Sequence, residues 1–175
     1  MVIELLQQRR SIRQFKSAPI TPEQITQLSE ALLRAPTSRG RNPWHFVIVD
    51  DPQLLAQLSK AKAHGAEFLE KAPLAVAICA EPAVSDVWVE DCAIAAIILQ
   101  LTAASMGLGS CWAQMRLRSD ANGRSAEENV RAILNLPSGW NVDCIIAIGQ
   151  PSNRPAGHPR DSLPEGKIHR NRQPQ

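Results

Sequence analysis

Apolar residues along this chain recur with two periods, and the changes of period divide it into short helices and strands. Val2, Leu5 and Leu6 form one apolar edge of a helix over residues 2–9, which carries Arg9 at its C-terminal end. Thr21-Pro22-Glu23-Gln24 combines an N-cap, a first-turn proline and a capping-box partner. Ile25, Leu28, Leu32 and Ala35 then follow at helical spacing, so a second helix runs to about Ala35. Pro36 stops it and opens a polar, donor-rich loop that ends at Pro43. Trp44 to Val49 predicts a strand, Asp51-Pro52 opens a third helix with Leu54, Leu55 and Leu58 inward, and Ala72-Pro73 introduces a buried strand from Leu74 to Ala80.

Residues 86–106 predict the longest helix. The stretch from Cys92 to Met115 holds no charged residue, but Gln100, Thr102, Ser105 and two glycines interrupt it. Its dense part falls short of the roughly 20 apolar residues a bilayer demands, so a helix buried on all sides is expected, with no membrane partner. Gly107-Leu108-Gly109 ends that helix, because glycine accepts the left-handed conformation of a C-cap. Ser110 to Leu117 predicts a third strand. Ser125-Ala126-Glu127-Glu128 reads as another capping box, opening a helix with Val130, Ile133 and Leu134 inward, and Val142 to Ile148 predicts a fourth strand. Beyond Gly149 the pattern dissolves, since Pro151, Pro155, Pro159 and Pro164 forbid a helix. The expected organisation is a domain over 1–150 and an extended arm over 151–175. That arm is either disordered or wraps around something; in the second case Lys167-Ile168-His169-Arg170 could add a strand to an exposed sheet edge, most simply that of a second copy.

A length of 175 residues suits one domain with a real core. The net charge of +2 conceals a polarity. Arg9, Arg10, Arg13 and Lys16 outweigh Glu4 at one end, and Arg154, Arg160, Lys167, Arg170 and Arg172 outweigh Asp161 and Glu165 at the other, around an acidic middle. This is too sparse a basic face to expect a nucleic-acid partner. Cys79, Cys92, Cys111 and Cys144 stand apart in apolar surroundings and read as buried free thiols of a reducing, cytoplasmic compartment; no secretory signal opens the chain. His45 and His64 have no partner at ligand spacing, so no metal is expected, and no nucleophile is paired with a base.

The candidate chemistry begins at Arg9-Arg10-Ser11-Ile12-Arg13. Three guanidinium forks and a hydroxyl within five residues could meet one phosphate bidentately. A solvated basic turn is the competing reading of the same residues.

Other parts of the chain bear on that choice. The arginine cluster, the Ala35-Pro36-Thr37-Ser38 loop ending in Asn42-Pro43-Trp44-His45-Phe46, the Gly107-Leu108-Gly109-Ser110-Cys111-Trp112 turn and Ile148-Gly149-Gln150-Pro151 occur in order across nearly the whole chain. Together they resemble the FMN-dependent nitroreductase family. The resemblance implies an α+β fold, a mixed β-sheet flanked by helices, with the extended C-terminal arm exchanged in a homodimer and two flavin sites at the interface. It implies that Arg9, Arg10, Ser11 and Arg13 hold the FMN phosphate and ribityl chain. The arm would add a second basic contact, where His158 and Arg160 stand at the matching place and Arg160 carries the permanent charge.

Pro36, Thr37, Ser38 and Asn42 would reach across the dimer to the flavin ring, and Trp112, Ala113 and Gln114 would line its other side. Trp112 has a competing reading as a core residue of a buried strand, and Gln114 replaces smaller residues commoner there. The segment between Asp120 and Arg131 is short, so the helices that cover the substrate in larger members are missing. Asp91 resembles an acidic residue often found at its place, which helix-end electrostatics or an interface hydrogen bond explains. Arg116 and Arg118 are expected to point to solvent.

The implied function is an FMN-dependent oxidoreductase that takes hydride from NADH or NADPH and passes electrons to a nitroaromatic, quinone or similar small acceptor. No protein residue need be catalytic, because the flavin carries the chemistry. No Rossmann fingerprint is present, since Gly107-x-Gly109 follows a helix and lacks the third glycine. The alternative is a non-catalytic FMN-binding protein for storage or sensing.

Overall fold

The structure is a computed structural model that describes residues 1–171. Five helices and four strands alternate as α1 (Val2–Gln8), α2 (Pro22–Leu33), β1 (Trp44–Val49), α3 (Pro52–Leu58), β2 (Leu74–Ala80), α4 (Trp88–Ser105), β3 (Gly109–Gln114), α5 (Ala126–Ile133) and β4 (Asn141–Gly149), with short 3-10 turns between them. The strands form one sheet in the order β1-β2-β4-β3. Every pairing within it is antiparallel, so the expected mixed sheet is corrected: among the described residues a parallel pairing survives only as the single bridge between Ser11 and Ser110.

β2 and β4 read as unbroken apolar runs because both of their faces are covered. One face meets α3, α5 and the Glu67–Lys71 turn through Ala75, Ala77, Ile145 and Ala147; the other meets α2 and α4 through Val76, Ile78, Cys144 and Ile146. α4 lays Cys92, Ala95, Ala96, Leu99 and Ala103 on that second face. Full burial of a side chain the size of Leu99 stabilises by roughly 2 kcal/mol. α4 is not buried on all sides, however. Ile94 and Ile97 are 39% and 38% exposed, and α1, packed beside it, exposes Val2, Ile3 and Leu6. Both helices therefore share an uncovered apolar face. α4 is also the one helix among the described residues long and apolar enough to cross a membrane, a test that the core helix of a globular protein passes equally.

Local signals account for the N-terminal ends of α2 and α3 and the C-terminal end of α4. Thr21 accepts a hydrogen bond from Gln24 N while the Gln24 side chain accepts from Thr21 N, and Asp51 accepts from Gln53 N and Leu54 N. Ser125, by contrast, makes no side-chain cap, so the second expected capping box is absent. Gly107, with φ of +74°, closes α4. β3 stops at Gln114 rather than Leu117 for a local reason. The β2–β4 register slips so that Ile78 pairs with Cys144 and Cys79 with Val142, which leaves Asp143 unpaired in a bulge. The Asp143 carbonyl then accepts from both Met115 N and Arg116 N, and the chain turns away through Leu117 at φ of 59°. Beyond Gly149 the described residues of the arm form no regular strand; Lys167 ends a 3-10 turn, and no strand forms at Lys167–Arg170.

Candidate functional site

The arginine segment is seated by two glycines. Ser11 bridges Ser110, Ile12 N donates to Ser110 O at 2.9 Å, and Lys16 N donates to Gln150 O at 2.8 Å, so residues 11–16 lie across the ends of β3 and β4. Gly109 and Gly149 face each other in the β3–β4 register. A Cβ on Gly109 would stand 2.8 Å from Ile12, and one on Gly149 would stand 2.7 Å from Phe15. Only glycine admits these two side chains, and Ile12 is buried as a result.

With Ile12 inward, its neighbours face two sides. Ser11 and Arg13 sit with Arg9 and Lys62 around Cys111. Burial pushes that thiol up, while Arg13, a hydrogen bond from Ser11, Lys62 and Arg9 pull it back. The Arg13 guanidinium lies 6.0 Å from the Phe68 ring centre. Burial and the neighbouring Arg118 lower the Lys62 pKa. Among the described residues, no carboxylate lies within ion-pair distance of Arg9, Arg13 or Lys62. On the other side, Arg9 and Arg10 line a cavity of about 280 Å³ with Ile12, Leu108, Pro151 and Arg154. Arg10 donates to Ala156 O, and Arg154 donates to Gly107 O at 2.6 Å, so each arginine ties the arm to the body through a carbonyl.

β3 forms one edge of the sheet. Ser110 turns its main-chain groups outward to Ile12, and alternation along an antiparallel strand turns those of Trp112 and Gln114 the same way. The two side chains are locked together: Trp112 Nε1 donates to Gln114 Oε1 at 2.9 Å, and Gln114 Nε2 donates to Arg116 O at 3.1 Å. Both remain half-buried, while Ala113 between them is buried. Arg116 does not simply point to solvent. It is half-buried, 5.6 Å from the Trp88 ring centre. Arg118 is exposed.

The Pro36–Asn42 loop lies elsewhere on the chain. Thr37 Oγ1 donates to Asn42 Oδ1 at 2.9 Å and accepts from Asn42 N at 3.0 Å, which turns the Asn42 amide NH₂ outward. Ser38 N donates to Asp91 Oδ1 at 2.8 Å. Pro36 is exposed. His158 and Arg160 are exposed on the arm, and Arg160 pairs with Glu165 at 3.2 Å; neither lines the arginine cavity, where Arg154 stands instead.

Within one chain the structure thus brings together Arg9, Ser11 and Arg13, gives Arg10 to the arm, and keeps the Pro36–Asn42 loop, Trp112–Gln114 and Arg160 as separate groups. Lys62, Arg154 and the anchoring role of Asp91 escaped the sequence reading. The only available signals were one of two lysines just after α3 and an arginine in a proline-rich tail, and neither has a register. Among the described residues no cluster of His, Cys, Asp or Glu is arranged to hold a metal ion.

Comparison with known proteins agrees in one direction. The nitroreductase family model matches residues 6–82 and 61–150. An FMN-dependent nitroreductase from Clostridium difficile R20291 superposes with a TM-score of 0.95 at 40% identity, covering 98% of this chain and 99% of that one. An NADPH:FMN oxidoreductase from Vibrio harveyi, solved with NAD+, superposes with a TM-score of 0.81 at 25% identity, over 99% of this chain and 78% of its own. The FMN reductase [NAD(P)H] of Bacillus subtilis is 25% identical over 181 residues, 95% of this chain and 72% of its own.

Proposed function

This chain belongs to the nitroreductase family and is an NAD(P)H-dependent FMN oxidoreductase, and we propose that its electron acceptor is a nitroaromatic, a quinone or a similar small molecule. One observation carries the reading of the site: three cations without a carboxylate partner, Arg9, Arg13 and Lys62, gather where the β3 edge turns its main chain outward. Cations without an ion-pair partner, two of them half-buried (Arg9 and Lys62) and Arg13 exposed, suit an anion, and a phosphate with a polar ring system fits this donor set. FMN, when bound, supplies the hydride acceptance and electron transfer.

The protein's own work is binding and orientation. In our reading Arg9, Ser11 and Arg13 hold the phosphate end, and Arg10 contributes by fastening the arm beside it. Arg154 is the arm residue closest to this role, and Arg160 joins only if its pairing with Glu165 opens. The outward main-chain groups of Trp112 and Gln114, with the buried Ala113 between them, offer donors and acceptors along one edge of a planar ring. Pro36, Thr37, Ser38 and the free amide of Asn42 serve the ring of a partner subunit.

A homodimer follows from the same reading. The uncovered apolar face of α1 and α4, together with the unpaired outer edge of β1, suits a second copy, and the 151–175 arm with its exposed Ile168 suits an exchanged strand. Four thiols buried as free cysteines suit a cytoplasmic enzyme. The hairpin-like turn between Ser119 and Ser125 adds no covering helix, so small acceptors enter from an open side.

The test is direct. Purified protein is expected to be yellow, and anaerobic NADH or NADPH is expected to bleach the flavin, which a panel of nitroaromatics and quinones then restores. Protein that takes up no FMN would sink the reading of the site. Bleaching without recovery on any acceptor of the panel would sink the acceptor class.

A further inference from the structure

Asp91 is the only acidic residue of α4 that is withdrawn from water, with 2% of its surface exposed in the first turn of the helix. Both of its oxygens are used. Oδ1 accepts from Ser38 N at 2.8 Å, and Oδ2 accepts from the Ser85 hydroxyl at 3.0 Å. Ser38 is 53 residues away in sequence and begins the turn Ser38–Gly40. That turn has little reason to hold its shape unaided. Arg39 and Asn42 sit at φ of 55° and 49°, left-handed positions that non-glycine residues avoid unless their surroundings impose them.

The imposing surroundings are the segment from Glu81 to Asp91. Glu81 N donates to Pro43 O at 2.9 Å, Arg41 Nη1 donates to Val84 O at 3.3 Å, and Asp91 holds the start of the turn. Of these contacts only Asp91 is a buried charge, and hydrogen bonds to buried charged groups are the strong ones. Once Ser38 is held, the Thr37 hydroxyl takes Asn42 Oδ1, and the Asn42 NH₂ is left facing outward as a free donor.

We infer that Asp91 is a positioning residue: through Ser38 N it sets the Pro36–Asn42 loop so that Thr37 aims the Asn42 amide at its target. This rests on the reading that the loop meets the flavin ring of a partner subunit. Asp91 touches neither flavin nor substrate in this scheme, and Ser85 orients its carboxylate. The consequence is a loop that arrives preorganised, so that little ordering cost falls on flavin binding.

The experiment measures FMN affinity by flavin fluorescence and the visible circular dichroism of bound flavin, together with thermal stability, in the full-length holoprotein. Asn42→Ala tests the underlying reading: if it changes neither affinity nor dichroism, the loop is not at the flavin and that reading fails. Given a change there, Asp91→Ala is expected to raise the FMN dissociation constant roughly tenfold or more and to alter the dichroism in the same sense. Asp91→Asn keeps an oxygen for Ser38 N and a donor for Ser85, so it is expected to stay within about threefold of the parent.

An Asp91→Ala protein that loses thermal stability but keeps its flavin affinity and dichroism would overturn the inference, because that is the signature of a structural role alone. Asp91→Asn as weak as Asp91→Ala would overturn the assignment to hydrogen-bond geometry. Should Asp91→Ala fail to fold, Ser85→Ala takes its place, with a shift of about threefold in the same direction as the expected result and no shift as the overturning one.

Discussion

The two edges of the sheet face opposite problems. At β3 the outward main chain is bordered by Arg9, Arg13 and Lys62, none of which has a carboxylate partner among the described residues. At β1 the outward main chain is bordered by apolar surface: Trp44 and Phe46 lie 4.9 Å apart, and Ile48 and the neighbouring Leu33 are exposed. Both edges are unfinished, but what would finish them differs. Uncompensated charge asks for an anion, whereas an exposed apolar edge asks for another strand. In our proposal chemistry belongs to one edge and assembly to the other.

The largest expected effect breaks the charged edge. Arg13→Ala is expected to weaken FMN binding by about 2–4 kcal/mol, as the loss of a desolvated charge contact, measured by flavin fluorescence, with the oligomeric state unchanged. Affinity equal to the parent would remove Arg13 from the site.

Next comes the bulge that ends β3. Burial pushes the Asp143 carboxyl up to about 6, with the Cys144 thiol and Arg116 pulling the other way, and its Oδ2 has no hydrogen-bond partner. Its folded pKa is raised, so the folded state binds the proton more tightly than the unfolded chain. Stability is therefore favoured at low pH and lost as pH rises between about 4, the unfolded value, and about 6. Asp143→Asn is expected to gain up to about 3 kcal/mol at pH 7, and the gain should fade below about pH 4. Denaturant melts across pH check this; a variant less stable at pH 7 would show that the carboxylate has a partner.

Gly109→Ala then tests how the arginines are seated. Its Cβ would strike Ile12 and is expected to cost about 1–3 kcal/mol of stability, with weakened FMN binding as the arginine segment shifts. A denaturant titration reads the first and fluorescence the second. The smallest effect belongs to the other edge. Ile168→Asp is expected to loosen the proposed dimer by about 1–2 kcal/mol, seen as dissociation on dilution in size-exclusion chromatography, while a diluted subunit keeps its fold. If Ile168→Asp alters neither the dimer nor the flavin, the arm is not exchanged.

Much of the fold was legible along the chain, for reasons particular to each element. β1 and β2 occupy the residues expected, because their apolar runs are bounded by proline on one side and polar turns on the other. β3 stops early because a bulge on a neighbouring strand captured its backbone, and nothing in residues 110–117 announces a slip at Asp143. α4 promised burial on every side, but a helix of uniform hydropathy cannot reveal which of its faces a single subunit covers. At the site, the arginine cluster was visible as a motif. Its division between the Cys111 side and the arm was not, since that depends on Ile12 entering the space above Gly109.

By itself the sequence determined the periodicities, the breaks at proline and glycine, the caps of α2 and α3 and the basic character of both ends, because these are interactions among residues near one another in the chain. The tertiary structure alone decided that Lys62 and Arg13 both act on Cys111, that Arg154 rather than Arg160 reaches the cavity and that Asp91 holds Ser38. Those contacts join residues dozens of positions apart. Their geometry is set by how two layers pack on one sheet, a cooperative outcome that no local pattern encodes.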